Sequence, residues 1–198
     1  MDFEVLNRIR LKEAYADMAV FNRVTKDADW LDSLFECETR GREFIYDDST
    51  IGHVVFVEDT NGLGRDKVFE VVNKNHKEVY LWHIDGVVYK KTSKCDCAII
   101  TSDEMAFIEF KTNASNNTED TIIDNYHKAR EQLQQIVLDV KNRCERVGVN
   151  LVSIIPVEAH AVFNPTVPSD NAMEKSIAAK FIMNTGVKLK FDNKMNLM

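Results

Sequence analysis

A chain of 198 residues fits a single compact domain, and 44% hydrophobic with 29% charged residues, 7 Gly and 3 Pro, excludes disordered, collagen-like and mucin-like classes. The net charge of -7 and a pI near 5.3 argue against a purely electrostatic coat for nucleic acid. No apolar run approaches the roughly 18 residues of a spanning helix, and the start, Met1-Asp2-Phe3-Glu4, is acidic where a signal peptide is basic, so the expectation is a cytoplasmic protein without membrane contact. Cys37, Cys95, Cys97 and Cys144 form no CxxC pair and are expected as reduced thiols.

In chain order, Leu6, Ile9, Met18, Phe21 and Val24 recur near helical spacing, and Trp30, Leu31, Leu34 and Phe35 give a second short helical pattern. The stretch 27–59 holds ten acids against Arg40 and Arg42, so it carries -8 and the rest of the chain +1. It reads as a solvated face, with a protein partner at 27–59 as the minority reading. His53–Val57 predicts a strand ended by the turn cluster 59–62, and 66–73 a short helix or a strand, with helix favoured. Val79–Ile84 reads as a strand turning at Asp85-Gly86, and 95–101 and 105–112 as two further strands of a meander.

The best helix follows, with Ile122, Tyr126, Ala129, Leu133, Ile136, Val140, Cys144 and Val147 at steps of three and four, Thr118 as N-cap and Gly148 as stop. Beyond it, 151–155 and 159–163 suggest strand, 164–168 a loop and 170–184 a helix. After Gly186, Val187, Leu189 and Phe191 alternate with Lys188 and Lys190 along a last strand.

Chemistry concentrates in the meander. Asp96, Glu109 and Lys111 are ionisable residues inside apolar runs, where an unpaired charge is costly. Glu109 and Lys111 project from one face while Ile108 and Phe110 face the opposite way. If the two strands pair, Asp96 approaches Glu109 from its neighbour. Two carboxylates with the backbone carbonyl of Phe110 suit a hard cation, Mg²⁺ or Mn²⁺, and Lys111 suits a role in holding or deprotonating an attacking water. The chemistry implied is phosphodiester hydrolysis.

An Asp at the start of one strand followed by Glu-x-Lys on the next resembles the PD-(D/E)XK nuclease superfamily, over about 66–163. The resemblance implies an α/β protein with a restriction-endonuclease-like mixed sheet flanked by helices, here with a helical N-terminal lead-in. It implies a single domain, 1–198, made of an acidic lead-in (1–64), a nuclease-like core (65–163) and a C-terminal helix and strand (164–198).

It also implies a metal-dependent nuclease whose partner is nucleic acid, DNA ahead of RNA. Asp96, Glu109, Lys111 and Gln132 are the expected catalytic residues, and Asp96, Glu109, Phe110 and Glu70 the expected metal ligands. Gln132 is chosen over Lys128 and Gln135 on the same helix face, and Glu70 is the third acid if 66–73 is helical. The sequence departs from the family in lacking a Pro before Asp96. The alternative is a catalytically silent binding or regulatory module on the same scaffold; a homodimer is left open. The substrate is expected along Lys90, Lys91 and Lys94, with Lys188 and Lys190 on the last strand.

Overall fold

The computed structural model describes residues 4–18, 34–48, 50–64, 67–89, 94–111, 118–164 and 171–197, apart from the side chains of residues 119 and 171. The chain folds as a mixed α/β protein with two mixed sheets. Its described helices are α1 (Glu4–Arg8), α2 (Leu11–Ala14), α3 (Glu119–Arg146), α4 (Leu151–Ile154) and α5 (Asn171–Thr185).

The first sheet has the order β1 (Phe35–Glu38), β5 (Val79–His83), β6 (Cys97–Ile100), β7 (Met105–Lys111), β8 (Val157–Phe163), β9 (Lys188–Lys190). The strands from β1 to β7 pair antiparallel, whereas β8 lies parallel to β7 and β9 parallel to β8. The second sheet runs β10 (Lys194–Asn196), β4 (Val68–Val72), β2 (Arg42–Asp48), β3 (His53–Val57). The stretches expected as lead-in, core and C-terminal addition are thus interwoven, since each contributes strands to the second sheet.

The period-two alternation of β6 and β7 builds two cores. Ala98, Ile100, Met105 and Phe107 face a layer formed with α1, α2, α3 and α5. Cys97, Ile99, Ala106, Ile108 and Phe110 face the second sheet, against Ile45, Val54, Phe69 and Val71. By this alternation Glu109 and Lys111 belong to the helix side.

The predicted long helix is present as α3, and Tyr126, Ala129, Leu133, Ile136, Val140 and Cys144 are its buried stripe. Thr118 caps it by accepting the Thr121 N–H on its hydroxyl at 3.4 Å, and Gly148, at φ 81°, supplies the left-handed residue that ends it. Thr118→Ala should cost about 1 kcal/mol, read as a lower urea midpoint at unchanged slope.

Four local expectations change. The N-terminal helix breaks at Arg10, whose φ of 50° is left-handed and cannot continue a helix; Phe21, Val24, Trp30 and Leu31 lie outside the described residues. Phe35 opens strand β1 instead of closing a helix, because it stacks on Trp82 of β5 at 6.1 Å. Residues 68–72 are strand β4, a Val-rich segment with β-branched residues on both sides of Phe69 and Glu70, held between β2 and β10. Residues 151–154 form one helical turn before β8. No described helix is long and apolar enough to cross a membrane.

Candidate active site

The site forms where β5, β6 and β7 end side by side. The register pairs His83 with Cys97 and Cys97 with Ile108, which carries Asp96 beside the end of β5 and the Glu109–Phe110 segment of β7. Asp96 is pinned from both neighbours. Its backbone carbonyl accepts the N–H groups of Ile84 and Asp85, each at 3.2 Å, and its Oδ2 accepts the Phe110 N–H at 2.6 Å.

Glu109, only 2% exposed, accepts a hydrogen bond from the Lys111 ammonium on Oε1. Lys111 also donates to the Gln132 side-chain oxygen on α3, and Gln132 Nε2 donates in turn to the Lys94 carbonyl at 3.2 Å. Gln132 is the half-buried member of its helix face, while Lys128 and Gln135 are exposed. Asp96, Glu109, Lys111 and Gln132 are therefore brought together.

Electrostatics set this cluster apart. Burial pushes the Glu109 carboxyl well above its ordinary range and the Asp96 charge adds to that, against the opposing Lys111 ammonium. Burial likewise raises Asp96 to about 7, despite the Phe110 N–H, with the charges of Asp47 and Asp85 raising it and Lys111 lowering it. The Glu109 Oε2 is buried without a hydrogen-bond partner. A buried carboxylate with one orphaned oxygen, crowded by a second carboxylate, is a donor set that fits a hard divalent cation.

Two nearby acids escaped the sequence reading. Asp47 sits on β2, and its charge acts on both Asp96 and the Cys97 thiol; Asp85 acts on Asp96 and Glu109. Phe44-Ile45-Tyr46 inside the acidic stretch was the available sign of a strand that would deliver Asp47. The solvated-face reading of 27–59 is corrected at Glu43, which is fully buried and bound by Arg40 at 2.9 Å, whereas Glu58 and Asp59 are exposed.

Glu70 is also corrected. On strand β4 its carboxylate is held by Arg42 at 2.9 Å and Lys194 at 3.1 Å in the second sheet, so it is committed to two cations away from the Asp96–Glu109 pair. On β9, Lys188 is exposed and Lys190 pairs with Glu158. Lys94 places its ammonium over the Tyr89 ring at 5.5 Å, and Lys90 and Lys91 lie outside the described residues. Comparison of the chain with protein-family models, curated proteins and solved structures finds no match.

Proposed function

We propose that the protein is a metal-dependent nuclease of the PD-(D/E)XK kind, hydrolysing phosphodiester bonds in nucleic acid, DNA ahead of RNA. The observation that carries this reading is the buried Glu109 carboxylate, with one oxygen held by Lys111 and the other orphaned beside Asp96. The β5–β6–β7 meander, followed by α3 and by β8 parallel to β7, supports a restriction-endonuclease-like core. The strand at 68–72 stands where that resemblance implies a helix.

Asp96, Glu109 and the Phe110 carbonyl would hold Mg²⁺ or Mn²⁺, with Asp47 in place of Glu70 as the further acid. When bound, the ion supplies charge neutralisation on the phosphate and a lowered pKa for water. Lys111 orients the attacking water through its ammonium and offsets negative charge building on the phosphate. Gln132 is a positioning residue: tied to the Lys94 carbonyl, it keeps the Lys111 side chain turned toward Glu109.

The test is cleavage of supercoiled plasmid, linear duplex, single-stranded DNA and RNA in Mg²⁺ and in Mn²⁺. Wild type should cleave at least one form, and Lys111→Ala should lose about a hundredfold to a thousandfold in rate. Gln132→Ala should lower kcat with little change in KM and little change in far-UV circular dichroism, as expected for misplaced chemistry in an intact fold. Metal-dependent binding of nucleic acid without any cleavage would instead select the silent binding module. Neither binding nor cleavage would sink both readings.

A further inference from the structure

A second cluster with different chemistry lies across the gap between the sheets. Glu36 comes from β1, His83 from β5 and His53 from the first position of β3. One ligand atom of each lies within 4.8 Å of the others. Glu36 Oε1 is 3.2 Å from His83 Nε2, and its Oε2 accepts the Phe56 N–H of β3 at 3.2 Å. The His53 and His83 rings meet edge to face at 5.0 Å.

A hydrogen-bonded Glu36–His83 pair, made through Nε2 of the buried His83 ring, accounts for part of this arrangement and leaves one feature over. His53 is brought against the same ring and carboxylate although neither partner of that pair requires it.

We propose that Glu36, His53 and His83 form a binding site for a borderline transition-metal ion, Zn²⁺ foremost, that bridges the two sheets. Two imidazoles and one carboxylate favour Zn²⁺ over Mg²⁺, which prefers an all-oxygen shell. Ligands about 2.0–2.1 Å from a tetrahedral ion stand about 3.3 Å from one another, close to the 3.2 Å between Glu36 and His83. Half-buried His53 closes the remaining distance, and three protein ligands leave a fourth position for water. The ion ties β1 and β5 of the first sheet to the edge strand of the second. It braces the end of β5 whose next residues, Ile84 and Asp85, hold the Asp96 carbonyl.

This site is independent of the nuclease reading. The experiment uses full-length protein stripped with EDTA, dialysed and titrated with Co²⁺ and Zn²⁺. Co²⁺ should give the visible d–d absorption of a four-coordinate site, Zn²⁺ should displace it, and Zn²⁺ should raise the melting temperature. His53→Ala and Glu36→Gln, at positions with solvent access, should each lose the absorption while keeping the wild-type circular dichroism. His83→Ala should lose it too but removes a buried ring, so the first two variants decide. The double variant Asp96→Asn/Glu109→Gln should keep it. No Co²⁺ absorption in wild type, or absorption that survives in His53→Ala and Glu36→Gln, or absorption lost only in the double variant, overturns the proposal.

Discussion

Asp96→Asn should make the metal-free protein more stable at pH 7.5 while abolishing cleavage. In the folded protein burial lifts the Asp96 pKa from 3.8 to about 7, so the fold binds this proton more tightly than the unfolded chain does. Stability from this group is fully present below pH about 4 and is lost as pH rises through about 7. A rise of that size integrates to about 4 kcal/mol, an upper figure because Asp96 keeps some access to solvent.

Glu109 acts in the same direction, since its pKa is also raised. Glu158 acts in the opposite one: the His160 ring 3.8 Å away and the Lys190 ammonium hold it at about 2, so stability is lost as pH falls through that value. In EDTA the wild-type optimum should therefore lie in the mildly acidic range. Asn keeps an oxygen for the Phe110 N–H but carries no charge to desolvate, so its melting temperature at pH 7.5 should exceed wild type by roughly 5–10 °C. The two proteins should converge near pH 4.5. Parallel melting curves from pH 4.5 to 8 would refute the electrostatic account of the site.

Trp82→Ala should cost about 3–5 kcal/mol, the largest packing loss expected from any single truncation in the first sheet. The indole is fully buried, stacks on Phe35 at 6.1 Å and meets the Tyr15 ring edge-on at 5.4 Å. It thereby joins β1, β5 and the chain just after α2. Its Nε1 has no hydrogen-bond partner, so the cost is packing and cavity alone. At a urea slope of about 2 kcal/mol/M the midpoint should fall by about 2 M, and Trp82→Phe should recover most of it. A fall of less than about 0.5 M would mean that β1 is not held by this contact.

Because Glu36 and His83 lie on the two strands that Trp82 and Phe35 clamp together, the Trp82→Ala variant should also weaken Co²⁺ uptake at the inter-sheet site. Asp96, two strands away from β1, is fixed by the β5 and β7 backbones and should be affected less.

The parts of the fold whose signal is local were legible in the amino-acid sequence. Helix α3 was legible because its apolar stripe, Thr118 cap and Gly148 stop agree over eight turns of chain. The β6–β7 hairpin was legible because a short turn, 101–104, joins its strands, and its period-two alternation put Glu109 and Lys111 on one face. Gln132 came from the resemblance, because periodicity alone puts Lys128 and Gln135 on the same helix face.

The second sheet and everything it delivers depend on pairing between distant segments. β2 and β4 are defined by partners distant in sequence, β4 lying between β2 and the C-terminal β10. The apolar run at 68–72 carries no information about which partner will satisfy its backbone, so periodicity does not separate helix from strand there and the expected helix is a strand. That choice moved Glu70 into the grip of Arg42 and Lys194, brought Asp47 toward Asp96, and set His53 beside His83. The physical reason is that a carboxylate or imidazole acquires its role from desolvation and from neighbours across the sheet. Those neighbours exist only once strands far apart in sequence have paired.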